Sequence, residues 1–176
     1  KNQIIVANDV CNDEHDARQL IPQIQNIQKN VKLKKDTKVS VDCGYSDGEN
    51  IKYCEDQKID LYVPNRVQTR EFEGSPSNLK HDKYDYDRIT DEIIINNIRL
   101  QYHNFYIKKS NGKKQLVYKN KEHKLKKIVP EFFRERLRMK EKMELETSKK
   151  IYNQRKSTVE PAIGNIKQNL NFREFL

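Results

Sequence analysis

The sequence predicts an α/β layer with parallel strand pairing, followed by a small β-rich region and a basic helical end. Three observations carry this. Gln3 to Val10, Lys38 to Asp42 and Ile59 to Val63 are short runs rich in β-branched residues, and the segments between them have apolar residues at helical spacing. Strands and helices alternating in that order place parallel strands in one sheet. Between residues 69 and 127 the periodicity changes to short alternating runs with turn signals, and beyond residue 128 it becomes helical and strongly charged.

Taken in order, Gln3 to Val10 reads as a buried strand. The polar stretch Asn12-Asp13-Glu14-His15-Asp16 offers N-cap residues for a helix over 16–30, with Leu20, Ile24, Ile27 and Val31 on one face and Pro22 near its first turn. Lys38 to Asp42 alternates and stops on an acid. Cys43-Gly44-Tyr45-Ser46-Asp47 is a turn, and Ser46 to Gln57 is a helix with Ile51 and Cys54 facing inward. Ile59 to Val63 is the next strand, closed by Pro64. In the middle region, residues 91–95, 99–102 with 105–107, and 115–118 predict three or four antiparallel strands, with Ser110-Asn111-Gly112-Lys113 as a hairpin turn. Tyr84, Tyr86, Tyr102, Phe105, Tyr106 and Tyr118 there suit sheet packing and can also stack on bases. Residues 130–150 predict one long basic helix with Pro130 in its first turn. Arg134, Arg136, Arg138, Lys140 and Lys142 on it read as a phosphate-binding approach.

Composition narrows the partners. The 176 residues are 35% hydrophobic and 35% charged, with a net charge of +9, so a polyanion is the favoured partner. Residues 121–156 hold thirteen Lys and Arg against six Glu and no Asp, which concentrates the positive charge just before the C-terminal stretch. Cys11, Cys43 and Cys54 have neither metal-ligand spacing nor an even count, as expected of reduced thiols in a cytosol. No apolar run approaches the ~18 residues needed to span a bilayer. The chain opens without Met, in the middle of a strand pattern, and reads as a fragment of a longer protein.

Two acids stand out. Asp42 sits at the carboxyl end of a strand before a Gly turn, where α/β folds place chemistry; a plain turn Asp has the same signature. Glu160 borders the apolar stripe formed by Ile151, Val159, Ile163, Ile166 and Leu170, with Arg155, Lys156 and Lys167 around it. A carboxylate there can hold a divalent cation and the neighbouring cations can hold phosphates; a solvated helix face would look alike.

The run Arg155-Lys156-Ser157-Thr158-Val159-Glu160-Pro161, continued by Gly164-Asn165-Ile166-Lys167 and preceded by Tyr152, resembles the C-terminal catalytic block of DDE transposases from bacterial insertion sequences. Six residues separate Glu160 from Lys167, as in that family. Four separate Arg155 from Glu160 where three are usual, which lets Lys156 stand in for Arg155. Val41-Asp42-Cys43-Gly44-Tyr45, with Glu49-Asn50-Ile51 and Ile59 to Pro64 after it, resembles the block holding the family's middle Asp.

The resemblance implies a ribonuclease-H-like fold lacking its first strands. Residues 1–68 would be the first part of the catalytic core, 69–127 a β-rich insertion, and 128–176 a basic helix followed by the Glu-bearing helix. It implies Asp42 and Glu160 as catalytic, metal-holding carboxylates for Mg²⁺ or Mn²⁺, because two-metal phosphodiester chemistry needs hard oxygen ligands. Tyr152, Arg155, Lys156 and Lys167 would contact DNA. The first catalytic Asp would lie on a strand before Lys1, so the isolated chain is expected to cut poorly. The implied activity is metal-dependent cleavage and strand transfer at insertion-sequence ends, in a bacterial cytoplasm near the nucleoid, without a membrane, by a possible homo-oligomer on paired ends. The alternative is a catalytically dead DNA-binding remnant. Relatives often carry Cys pairs in the insertion; with no Cys after Cys54, no zinc is expected there.

Overall fold

A computed structural model describes residues 4–9, 16–75, 84–159, 161 and 164. The chain is a mixed α/β protein that divides into two compact units, Lys1–Thr69 with Glu135–Leu176, and Arg70–Arg134.

The first unit is built on a parallel strand pair. Strands β1 (Lys38–Ser40) and β2 (Asp60–Tyr62) pair with Val39 opposite Leu61, and α2 (Gly48–Asp56) is the crossover between them. That connection is what a parallel pair requires. Helix α1 (Leu20–Asn30) has Pro22 in its first turn, where a missing N–H costs nothing, and buries Leu20 and Ile24. Ile51 and Cys54 of α2 are buried as their spacing predicts, and Leu61, Tyr62 and Val63 complete the strand side of the core.

The buried polar groups here are satisfied. Asn50 donates to the carbonyls of Ala17 and Tyr45 at 2.7 and 3.0 Å, tying the turn after β1 to the segment before α1. At the start of α3 (Arg66–Phe72), Asn65 and Gln68 exchange reciprocal side-chain bonds in a capping box, and the buried Gln68 amide also donates to the Lys140 carbonyl.

Two sequence expectations fail in this unit. Over the described residues 4–9, the run expected as a buried strand forms no strand, and Ile4 and Ile5 are about three-quarters exposed. Its carbonyls are met by α1 side chains instead: Asn30 donates to Val6 and Asn26 to Asn8. The single long helix expected over 130–150 is two helices, α4 (Phe133–Glu144) and α5 (Glu146–Asn153), parted by Leu145 in extended geometry. Pro130 ends a strand rather than starting a helix. A short α6 (Arg155–Thr158) follows after Gln154.

The second unit is a five-stranded antiparallel meander in the order β3 (Asp85–Asp87), β4 (Glu92–Ile95), β5 (Ile98–Ile107), β6 (Lys114–Lys119) and β7 (Lys126–Pro130). Asn96 and Asn97 both have positive φ and form the two-residue β4–β5 turn. That is the turn whose twist matches paired strands. One face buries Ile93, Leu100, Leu116, Tyr118 and Val129 with Phe133. Beside this core, Arg134 donates twice to the Asp91 carboxylate at 2.7 Å and also to the Tyr86 and Tyr118 hydroxyls. Burial pushes the Asp91 carboxyl up, but the bonds from Tyr86, Arg134 and Tyr118 outweigh it and hold the carboxyl below the usual range.

Candidate functional site

Asp42 lies two residues beyond the end of β1, after Val41. The Val41 N–H donates to the Tyr62 carbonyl and extends the parallel ladder by one bond, after which the chain turns: the Tyr45 N–H donates to the Asp42 carbonyl in a 3₁₀ turn over Cys43–Tyr45. Asp42 therefore stands at the carboxyl end of a parallel strand, with its side chain 64% exposed. Gly44 lets Asp16 approach the turn closely, because a Cβ there would lie 3.0 Å from an Asp16 carboxylate oxygen.

The C-terminal stretch meets this strand end. Arg155 opens α6, and its guanidinium lies 2.6 Å from the Asp42 carboxylate. A second nitrogen of the same guanidinium donates to the Tyr152 hydroxyl at 2.7 Å. Tyr152 is buried as part of α5, so the hydroxyl is a fixed acceptor that orients Arg155. Three sequence-singled residues, Asp42, Tyr152 and Arg155, are thus one cluster although more than a hundred positions separate the first from the others. Lys156 is exposed on α6. Glu160 and Lys167 lie outside the described residues.

Charge–charge distances divide the basic residues into two kinds. Three of the α4 cations expected to approach phosphates are engaged within the first unit instead, while Arg134 is engaged with Asp91 in the second. Arg136 meets Asp47 at 2.9 Å, Arg138 meets Glu55 at 2.6 Å, and Lys142 meets Asp60 at 2.5 Å, also donating to the Leu61 carbonyl and covering the Tyr62 ring. Burial raises the Asp60 carboxyl, but Lys142 and the Tyr62 hydroxyl more than reverse it. Burial and the Asp60 bond push the Tyr62 hydroxyl up to about 12. The helix reads as basic in one dimension because its acids come from α2, β2 and the turn before α2. No local charge pattern could have shown this.

Asp42 offers hard, exposed oxygens that suit Mg²⁺ or Mn²⁺. Among the described residues no group of three or more His, Cys, Asp or Glu side chains converges to hold a metal ion. No helix among the described residues is long and apolar enough to cross a membrane.

Residues 109–176 match a protein family described as a transposase DDE domain. The matched part contains Tyr152, Arg155, Lys156, Glu160 and Lys167, while Asp42 precedes it. No curated protein and no solved structure matches the chain.

Proposed function

We propose that this chain, whose residues 109–176 match a family described as a transposase DDE domain, acts as a DDE transposase on DNA, cleaving and joining phosphodiesters at insertion-sequence ends. The observation that carries the reading is the ion pair between Arg155 and Asp42, which joins the family-matching C-terminal stretch to an acid at a strand end. A site that works on a phosphodiester needs carboxylates and cations within reach of one another, and this contact supplies one of each.

In this reading residues 1–68 and 128–176 form a ribonuclease-H-like core, with 69–127 inserted. Asp42 and Glu160 hold the divalent ion, Mg²⁺ or Mn²⁺, which when bound activates the attacking oxygen and stabilises the leaving one. Arg155, oriented by Tyr152, presents its guanidinium to a DNA phosphate, and Lys156 and Lys167 add further phosphate contacts. Guanidinium suits this role because its donors match two oxygens at once. The protein works in a bacterial cytoplasm, as an assembly on paired DNA ends.

The test is a strand-transfer assay on the full reading frame that contains this chain, using its flanking DNA ends. Asp42→Asn and Glu160→Gln are each expected to abolish joining while DNA binding persists. Mn²⁺ titration followed by electron paramagnetic resonance should show weaker ion binding in both variants. Joining that tolerates Asp42→Asn overturns the reading. DNA binding with no joining by the unaltered reading frame would instead identify a dead remnant.

A further inference from the structure

The second unit contains a surface that the carboxylate site does not use. Strand β5 runs ten residues, but β4 pairs with it only from Ile98 to Gln101. Among the described residues it is bonded on one side alone from Tyr102 to Ile107, to β6, and every residue from Gln101 to Ile107 is exposed. The register shifts between Tyr102 and Asn104. Before it Tyr102 lies opposite Tyr118, and beyond it Phe105 lies opposite Leu116 and Ile107 opposite Lys114. Since 114, 116 and 118 share one side of β6, the bulge brings Tyr102 and Phe105 onto a common face although they are an odd number of residues apart. Both rings are about half exposed, and Lys114 covers the Phe105 ring at 4.8 Å.

The charge around these rings is one-sided. Residues 98–130 contain ten Lys and Arg against a single acid, Glu122. Unlike the α4 cations, Lys108, Lys109, Lys119, Lys121 and Lys126 have no carboxylate partner among the described residues. An open strand edge bearing exposed apolar side chains invites pairing with another strand. A second copy of the chain is disfavoured here because it would set like charge against like.

We propose that the β5–β6 hairpin binds single-stranded DNA, with its unpaired lysines on the phosphates and Tyr102 and Phe105 stacked on bases. The spacing selects a single strand: positions two apart on a strand are about 7 Å from each other. That is roughly twice the 3.4 Å rise between stacked bases in a duplex strand, so bases can meet both rings only when unstacked. The choice of DNA over another polynucleotide rests on the transposase reading; the surface itself does not.

The experiment is fluorescence anisotropy of the chain with a labelled thymidine oligonucleotide and with a duplex of equal length, each over a salt series. The single strand should bind more tightly. Phe105→Ala should weaken it roughly 5- to 140-fold, the effect of losing one stacked base at about 1–3 kcal/mol and 1.4 kcal/mol per decade, while Phe105→Tyr keeps it. Lys108→Glu with Lys109→Glu should weaken strand and duplex alike and flatten the salt dependence. Both positions are exposed, so folding is spared, as unchanged melting would verify. Unchanged strand affinity in these variants overturns the proposal, as does sedimentation showing a dimer that Phe105→Ala dissociates. If joining depends on Asp42 while Phe105→Ala is silent, this inference alone fails. If the hairpin binds the strand as argued but joining ignores Asp42, the transposase reading alone fails.

Discussion

The Arg155 guanidinium lies 2.6 Å from the Asp42 carboxylate and is held there by the Tyr152 hydroxyl. The two partners differ in environment: the Arg155 side chain is 17% exposed and that of Asp42 is 64% exposed. Water around Asp42 screens the attraction, so the contact contributes little to folding, about 0–1 kcal/mol as for other surface pairs. An arginine kept oriented at small benefit to stability can exchange a carboxylate for a phosphate.

Arg155→Ala should therefore lower unfolding free energy by no more than about 1 kcal/mol in urea titrations, while reducing strand transfer by the full reading frame far more than it reduces stability. Arg155→Lys should keep the folding contribution and lose much of the transfer, because an ammonium cannot bond Asp42 or phosphate and Tyr152 in the same fork. A stability loss of about 3 kcal/mol or more in Arg155→Ala would make the residue a structural strut and remove the argument for exchange.

The β4–β5 turn gives a second test. Asn96 and Asn97 sit at φ of 49° and 64°, a left-handed conformation that L-residues other than Asn, Asp and Gly adopt at a cost of roughly 1–2 kcal/mol. Asn97→Gly should leave the melting temperature of the second unit unchanged or raise it, and Asn97→Val should lower it by several degrees. Equal melting for all three proteins would mean that the turn does not set the strand register.

Local chemistry made much of this legible. Asp42 was visible as an acid closing a strand before Gly44, and α2 through the spacing of Ile51 and Cys54, since each signal lies within a few residues. Strand β7 was hidden because Lys126 and Lys127 open it with charge and Pro130 suggested a helix start. The misreading of Arg136, Arg138 and Lys142 has another origin: their partners Asp47, Glu55 and Asp60 lie more than eighty residues away, and only the fold brings them in. The same applies to the bulge that aligns Tyr102 with Phe105, because strand register is a property of two strands.

The thiols should differ sharply in reactivity. Cys54 is fully buried in α2, and desolvation pushes its pKa up to about 11, so at pH 8 it is neither reachable nor ionised. Cys43 is half-buried in the turn after Asp42. Mass-mapped alkylation at pH 8 should label Cys43 in the native protein and Cys54 only after denaturation. Early labelling of Cys54 would show that α2 opens without global unfolding.

The acid side of the stability profile should be governed in part by Asp91. Burial opposes its ionisation, yet Tyr86, Arg134 and Tyr118 hold the folded carboxyl below its ordinary value. A carboxyl depressed in the folded state contributes stability that is fully present above its unfolded pKa of about 3.9 and is lost as pH falls through the folded value. Stability should accordingly decline below about pH 4. Asp87, Glu92 and Asp60 are depressed too and share in that decline. Asp91→Asn retains a residue suited to the local φ of 55° but removes the charge that Arg134 meets. It should cost about 1–2 kcal/mol at pH 7, the range of a hydrogen bond to a charged group partly open to water, and less at pH 3, where the native carboxyl is losing its advantage. The difference between the two proteins should therefore shrink on acidification in urea titrations at the two pH values. A gap that stays constant from pH 7 to pH 3 would mean that Asp91 serves the second unit by shape and hydrogen bonding alone, with its charge immaterial.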